Sequence, residues 1–199
     1  MAPASGDYTR AQLLAAAEAV LHKHGYAGLS TRRVAEQAGV PLSQIHYHFG
    51  SKGGLVISVF EYQNEKLLGR QTEMFGSAIP LWKQWEQACN FLDDDLASGY
   101  VRILQELIAA GWSDPDIAAA VRPQLARWSK VLASVARDAA DRFDGLGPFS
   151  PDELGALVSA AFLGAEQGIL LGITEEELPL KSALRKVGDV IRTLEEETR

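Results

Sequence analysis

The stretch LSTRRVAEQAGVPLSQIHYHFGSKGGL, residues 29–55, decides how the first quarter of this chain folds. Ser30 belongs to the residue types that cap helix N-termini, because its hydroxyl can accept a hydrogen bond from a free backbone N–H. Gly39 belongs to the type that ends helices in the left-handed conformation. The pattern therefore predicts a short helix from residue 31 to residue 37 or 38.

A second short helix is predicted immediately afterwards, from Leu42 to Phe49. Pro41 favours a first helical turn, where its missing N–H has no intrahelical partner to lose. Ser51 can then cap a longer helix from about Lys52 to Met74. Two short helices joined by a glycine-containing turn are typical of a helix-turn-helix, whose second helix enters the DNA major groove.

Apolar residues recur at helical spacing through almost all of the remaining chain, and no alternating strand pattern is present. A first helix is expected from Thr9 to His24, and Gly25 ends it. Pro123 should kink or split its helix, while Ser150 and Glu153 form a capping box after the loop GLGPFSP. Further helices are expected over about residues 80–96, 100–110, 114–143, 151–173 and 179–199. The sequence thus predicts an all-α fold.

The composition fits a protein with a buried core and an uneven charge. The 199 residues are 47% hydrophobic and carry a net charge of −7. Residues 1–55 hold five Lys and Arg against three Asp and Glu, whereas residues 56–199 hold 14 against 23. We therefore expect only the basic N-terminal quarter to meet a polyanion.

Several classes of protein are not expected. MAPASGDYTR lacks the regions of a signal peptide, and no apolar run reaches the ~18 residues of a membrane span, so a cytoplasmic protein without a membrane partner is expected. His46 and His48, two residues apart, point about 200° apart on a helix and cannot share a metal ion. No Ser–His–acid arrangement, zinc spacing or phosphate loop is present, so we expect neither an enzyme nor a metal or cofactor.

Side chains suited to DNA cluster on the second short helix and at two neighbouring helix starts. Leu42, Ser43 and Gln44 would face base edges, because glutamine can bond adenine at two atoms and leucine can touch a thymine methyl. The other members would bind phosphates, although His48 fits a structural role equally well. The expected DNA-contacting residues are Ser30, Thr31, Arg32, Arg33, Leu42, Ser43, Gln44, His46, Tyr47, His48 and Lys52.

Residues 9–60 resemble the DNA-binding domain of TetR-family transcriptional repressors. The matching positions, in order, are Gly25, Tyr26, Ser30, Val34, Ala35, Ala38, Gly39, Val40, Ile45, His46, Tyr47, His48, Phe49, Ser51, Lys52 and Leu55. The chain departs from the family at His46, where tyrosine is usual, and at Pro41, where serine is common. It also has Gly53-Gly54 where helix-favouring residues usually stand, which weakens that helix by roughly 1 kcal/mol per glycine.

The resemblance implies a helix-turn-helix domain over residues 1–51 and a helical ligand-binding and dimerisation domain over residues 52–199. It implies a homodimeric repressor that binds a near-palindromic site in double-stranded DNA and is released by a small apolar or aromatic effector. The operator, the effector and the direction of its effect stay open. A helical enzyme and an interaction module that lost DNA binding stay open as weaker alternatives.

Two further sets of residues are expected in the helical domain. Ligand pockets are lined by aromatic side chains with a few polar groups, so the expected lining is Phe60, Trp85, Cys89, Gln105, Trp112, Trp128, Phe162 and Glu166. Small residues over 155–172 permit close helix approach, and the last helix carries an apolar stripe. A four-helix dimer interface is therefore expected at Gly155, Ser159, Phe162, Leu184, Val187 and Ile191.

Overall fold

The computed structural model describes residues 5–198, apart from the side chains of residues 5, 26 and 27. Tyr26 of the family pattern therefore lies outside the described side chains. Within the described range the chain is all-α, which confirms the prediction. The helices are α1 (Ser5–Gly28), α2 (Thr31–Ala38), α3 (Leu42–Phe49), α4 (Lys52–Phe75), α5 (Leu81–Ser98), α6 (Tyr100–Gly111), α7 (Pro115–Arg142), α8 (Pro151–Leu170) and α9 (Leu180–Glu197).

The residues that stop and start helices take the conformations expected of them. Gly25 has a φ of 65° inside α1, so regular helix stops there. Gly39, with a φ of 66°, ends α2 in the left-handed region. Ser150 and Glu153 form the capping box of α8. Local sequence signals therefore set these boundaries.

α7 runs through Pro123 without interruption, so the predicted split does not occur. A proline inside a helix removes the hydrogen bond to the carbonyl four residues earlier, here that of Ala119. Both residues are exposed, so water can replace the missing N–H at that carbonyl. The proline is therefore tolerated where the helix meets solvent.

The helices pack into two compact units that divide the chain differently from the predicted boundary at residue 51. Unit 1 consists of Met1–Lys66 and Ser98–Ala120, and unit 2 consists of Leu67–Ala97 and Val121–Arg199. Helices α4 and α7 thus contribute residues to both units. No helix in the described range is long and apolar enough to cross a membrane, and its side chains include no group of three or more suited to a metal ion.

Unit 1 is organised around α1, which contacts α2, α3 and α6. Leu13, Val34 and Ile45, one from each of the first three helices, are fully buried. Gln12 of α1 donates a hydrogen bond from Nε2 to the carbonyl of Ala38 at 2.8 Å, so the end of α2 is fixed as well. These contacts hold α2 and α3 at a set angle and position the surface described below.

Unit 2 is held by hydrogen bonds between α5 and α9. The Trp85 indole N–H donates to the carbonyl of Leu184 at 2.7 Å. The Glu195 carboxylate accepts from the backbone N–H groups of Leu81 at 3.0 Å and Trp82 at 3.3 Å. A carboxylate at a helix N-terminus satisfies free N–H groups and favours the helix dipole. The last helix is therefore anchored at both ends of its contact with α5.

Candidate nucleic-acid interface

The helix-turn-helix is built by caps on α2 and by packing on α3. Ser30 accepts a hydrogen bond from the backbone N–H of Arg33 at 3.2 Å, which fixes the start of α2. Pro41 precedes α3 and provides no side-chain cap, as expected where serine is replaced. A helix of eight residues is marginal without tertiary contacts. The orientation of α3 therefore depends on its buried face.

α3 buries one face and presents the other to solvent. Ile45 is fully buried, and Phe49 is buried beneath the guanidinium of Arg10, which lies 5.5 Å from the centre of its ring. His46 and Tyr47 are exposed on the other side, and Tyr47 exposes 80% of its surface. A tyrosine this exposed contributes little to folding. The outer face of α3 is therefore available to bind another molecule.

The three residues expected to meet base edges form the first turn of α3. Leu42 and Ser43 are exposed, and Gln44 is half-buried. In a helix-turn-helix, the first turns of the second helix are the part that contacts bases. The structure therefore brings the predicted base-reading residues to one surface.

The two histidines of α3 have different surroundings. His46 is exposed, and its Nδ1 lies 3.2 Å from the carbonyl oxygen of Gly50 at the end of the helix. The His48 ring is half-buried and stands edge-on to Tyr47, with centroids 4.9 Å apart. Its Nε2 is buried and lacks a hydrogen-bond partner among the described residues. These surroundings favour a structural role for His48 and leave Nε2 of His46 for a phosphate.

Cations flank α3 at two helix starts. Arg32 and Lys52 are exposed, at the beginnings of α2 and α4. The Arg33 guanidinium donates to the carbonyl of Gly28, which ties it to the preceding loop. Thr31 is half-buried. Cations and free N–H groups at helix starts favour an anion, and Arg32 and Lys52 are exposed at such positions.

Comparison with known proteins identifies the family to which the chain belongs. Residues 13–59 match the family described as bacterial regulatory proteins, tetR family. The chain is 30% identical over 148 residues to the HTH-type transcriptional regulator CymR of Pseudomonas putida, which covers 67% of this chain and 70% of CymR. The chain belongs to the tetR family.

Two further similarities extend over most of this tetR-family chain. It is 24% identical over 170 residues to the HTH-type transcriptional regulator UidR of Escherichia coli K12, which covers 85% of this chain and 84% of UidR. The fold matches the crystal structure of FadR from Bacillus subtilis in complex with stearoyl-CoA. The TM-score is 0.71 at 14% identity, over 91% of this chain and 96% of FadR. As a member of the family, the chain is a DNA-binding transcriptional regulator and not an enzyme.

The residues expected to line an effector pocket are divided between the two compact units. Phe60, Gln105 and Trp112 lie in unit 1, whereas Trp85, Cys89, Trp128, Phe162 and Glu166 lie in unit 2. Phe60 is fully buried and stacks on Tyr100 at 6.1 Å. Trp112 is 80% exposed. Phe60 therefore lies in the core of unit 1, and Trp112 lies on its surface.

The unit 2 members of this set are buried or half-buried, and two of them are in contact. Trp85 lies edge-on to buried Phe162, with centroids 5.7 Å apart. Cys89 and Glu166 are buried, and Trp128 is half-buried. Burial raises the pKa of the Cys89 thiol to about 11, so the thiol is neutral at pH 7 and behaves as a small apolar group.

A cavity of about 210 Å³ lies in unit 2. Only Trp85 of the eight expected residues lines it. Every lining residue is apolar, with contributions from α4, α5, α7, α8 and α9 that include Phe75, Ala139, Val158, Val187 and Leu194. The sequence does not reveal this cavity, because its lining is spread over more than half of the chain.

The residues expected at the dimer interface are mostly buried within the same chain. Gly155, Ser159, Phe162 and Leu184 are all buried. A Cβ at Gly155 would come within 2.7 Å of the Ala133 backbone nitrogen, so the small residue serves the close approach of α8 to α7. These four residues therefore leave little surface for a partner to contact.

Other residues of α8 and α9 leave large apolar side chains exposed. Val187 was expected there and keeps 40% of its surface exposed, whereas Ile191 is half-buried. Leu157 of α8 and Leu194 of α9 are also exposed, and Val190 exposes 60% of its surface. Val187, Val190 and Leu194 recur at i, i+3 and i+7, the spacing of one helix face. Val190 and Leu194 were missed by the sequence analysis, and this second stripe on α9 is the signal that could have identified them.

Proposed function

We propose that this chain is a homodimeric repressor that a small apolar or aromatic molecule releases from a near-palindromic operator. The observation that carries the DNA-binding part is the outward face of α3. His46 and Tyr47 are exposed there, while Ile45 and Phe49 hold the helix from behind. In the dimer, two such helices would enter successive major grooves, about 34–36 Å apart.

The chemistry of the surface supports separate roles for its residues. Gln44 can form two hydrogen bonds with adenine, and Leu42 can touch a thymine methyl, so the first turn of α3 would supply specificity. Arg32 and Lys52 would bind phosphates on either side and supply most of the salt-dependent affinity. Residues 56–199 hold more Asp and Glu than Lys and Arg, so the negatively charged duplex would repel this part of the chain.

The exposed apolar face of α8 and α9 supports dimerisation by a second copy of the chain. We define this dimer face as Leu157, Val187, Val190 and Leu194, all of them exposed. Large apolar side chains gathered on one face mark an interaction surface in a water-soluble domain. A self-complementary patch on two helices gives a two-fold symmetric four-helix interface.

An effector would act by binding one state of the dimer better than the other. FadR of Bacillus subtilis, which has the same fold, was solved in complex with stearoyl-CoA. The apolar lining of the unit 2 cavity supports an apolar effector for this chain as well. Because α4 carries residues of both units, a change at its unit 2 end could alter the spacing of the two α3 helices.

A gel-shift titration on DNA flanking its own gene tests the DNA-binding part of the proposal. Wild-type protein should shift a fragment at low salt. Gln44→Ala should weaken binding to that fragment by roughly tenfold, because each good base contact contributes about 1–3 kcal/mol. Lys52→Ala should weaken binding to all sequences and lower the salt slope by about one.

Lys130→Ala removes a cation from an exposed position in unit 2 and serves as the control. It should bind like wild type. Wild-type affinity in both Gln44→Ala and Lys52→Ala would exclude this surface. Failure of the wild-type protein to bind any such fragment at low salt would favour an interaction module that kept the fold and lost DNA binding.

A further inference from the structure

We propose that the unit 2 cavity is the effector site, that it takes a compact uncharged hydrocarbon or aromatic molecule, and that a second copy of the chain forms its outer wall. Effector binding and dimerisation then strengthen each other. This inference depends on the dimer proposed above.

The lining of the cavity excludes a charged ligand. All of the residues around it have apolar side chains, so nothing there can pair with an ion or replace the water that an ion would lose. The one polar side-chain atom in the lining is the indole nitrogen of Trp85, and its N–H already donates to the carbonyl of Leu184 at 2.7 Å. A ligand would therefore be held by shape and apolar contact.

The volume of the cavity sets the size of the ligand. An apolar cavity of about 150 Å³ stays dry and holds benzene. The cavity in unit 2 measures about 210 Å³, so it can accept a substituted single ring or a molecule of similar bulk. Filling it restores dispersion contacts that the lining atoms lack when it is empty.

Two residues belong both to this cavity and to the dimer face. Val187 and Leu194 line the cavity, yet they leave 40% and 43% of their surface exposed. They lie on the same stripe of α9 as Val190, which is 60% exposed and does not line the cavity. A partner seated on the dimer face would bury surface that Val187 and Leu194 leave exposed beside the cavity.

This arrangement links the two binding events. A bound molecule supports Val187 and Leu194 from within and keeps them in position for the partner, and the partner in turn closes the wall over the molecule. Thermodynamic linkage requires that each event favour the other by the same factor. We expect that factor to be about five- to tenfold, at the low end of typical couplings, because only part of each side chain is shared.

Toluene, and 4-methylbenzoate as its charged counterpart, provide the probes for the wild-type protein. Isothermal titration calorimetry should show binding of toluene and at least tenfold weaker binding of 4-methylbenzoate. Because a symmetric dimer holds two such cavities, sedimentation equilibrium should show a dimer Kd that is lower by the square of the per-site factor, about 25- to 100-fold, in saturating toluene. If toluene does not bind, or if the two probes bind equally well, the assignment of the cavity is wrong.

Two matched variants locate the site. Ala139→Met would fill the cavity from α7 with a flexible side chain, whereas Ala126→Met places the same side chain on an exposed position of α7. We expect Ala139→Met to lose toluene binding and the response of the dimer, and Ala126→Met to keep both. If circular dichroism shows that Ala139→Met does not fold, the comparison of the two probes on wild-type protein still tests whether the cavity binds an uncharged ligand.

Val190→Glu tests the coupling from the other side. It places a charge on the dimer face without touching the cavity, so it should weaken the dimer and lower toluene affinity by the same five- to tenfold factor. An unchanged toluene affinity in a monomeric Val190→Glu protein would overturn the coupling. A toluene-induced weakening of the wild-type dimer would show instead that a partner side chain occupies the cavity.

The outcomes also separate this inference from the proposed function. A chain that stays monomeric at every concentration contradicts the homodimer and the coupling. The two probes and Ala139→Met still test whether the cavity binds an apolar ligand. A dimer that binds operator but not toluene contradicts only the inference drawn here.

Discussion

The DNA-facing surface and the apolar cavity of this regulator are assembled in opposite ways. Every residue expected to meet DNA lies between Ser30 and Lys52, on two short helices, at the N-cap of the first, or at the first residue of a third helix. The cavity takes its lining from residues between Phe75 and Leu194, on five helices and a loop. A surface built from consecutive residues can be inferred from their order, whereas a distributed cavity depends on which helices meet. A site is therefore easier to predict from the sequence when the residues that form it are close together along the chain.

The first prediction concerns a contact of short range, at the junction of α3 and α4. A Cβ at Gly54 would collide with the carbonyl oxygen of Phe49. Because that oxygen belongs to the backbone, it cannot rotate away as the end of a side chain could. Gly54→Ala should lower the free energy of unfolding by about 3 kcal/mol, at the upper end of overpacking effects. Urea unfolding followed by circular dichroism measures the change.

Its neighbour Gly53 supplies the matched control. The nearest atom to a Cβ at Gly53 is the Ser51 hydroxyl oxygen, at an ordinary 3.6 Å. Gly53→Ala should therefore raise the free energy of unfolding by up to about 1 kcal/mol, through the better helix propensity of alanine. Equal effects of the two substitutions would mean that the glycine pair is only a weak helix start.

The second prediction concerns a contact of medium range, between α8 and α7. A Cβ at Gly155 would lie 2.7 Å from the backbone nitrogen and 3.0 Å from the Cα of Ala133. Gly155→Ala should therefore force the two helices apart and lower the free energy of unfolding by about 2 kcal/mol. Because Gly155 also lines the cavity, the same variant should weaken toluene binding in calorimetry.

Gly164 of the same helix is the control for Gly155. Nothing lies within 4 Å of a Cβ at Gly164, and the residue is exposed. Gly164→Ala should be neutral or stabilising by up to about 1 kcal/mol. Destabilisation by both alanines would attribute the effect to α8 as a whole rather than to its contact with α7.

Gly54 and Gly155 show which features of the structure could be predicted from the sequence and which could not. The helices and most of their ends could be predicted, because caps such as Ser30, Gly39 and Ser150 act within a few residues. Gly54 looked like a simple weakness of α4, since its conflict with Phe49 requires the angle between two helices. Gly155 suggested a dimer contact, because a small residue permits close approach without indicating which helix approaches.

The same limit explains the ligand and dimer residues. Trp85 and Trp112 look alike in the sequence, yet Trp85 is held by the carbonyl of Leu184 and Trp112 is exposed. The apolar stripe through Leu184 and Ile191 was visible at helical spacing, but it turns inward in the folded chain. Periodicity finds an apolar face, and only the packing of α5 against α9 shows which of two faces a partner can reach.

The third prediction concerns residues that are farther apart in the sequence than those of the first two, and it has the smallest expected effect. The Asp93 carboxylate of α5 accepts hydrogen bonds from Lys181 at 2.7 Å and Arg185 at 2.9 Å, both on α9. The hydrogen bond from Lys181, with the positive charges of both side chains, lowers the pKa of Asp93 below its ordinary value, although partial burial opposes the shift. Because the carboxylate is 41% exposed, Asp93→Asn should cost only about 0.5 kcal/mol at pH 7.

The dependence on pH separates this ion pair from a packing effect. Since the folded pKa lies below the unfolded value of about 3.9, the stabilisation is complete above pH 5 and is lost as the pH falls through the folded pKa. The difference between wild type and Asp93→Asn in urea unfolding should therefore shrink below about pH 4. Asp138→Asn, on an exposed position of α7, is the control. A difference that persisted unchanged at pH 3 would mean that Asp93→Asn acts through hydrogen bonding or packing rather than through the charge of the carboxylate, and the ion pair would then contribute nothing to the contact between α5 and α9.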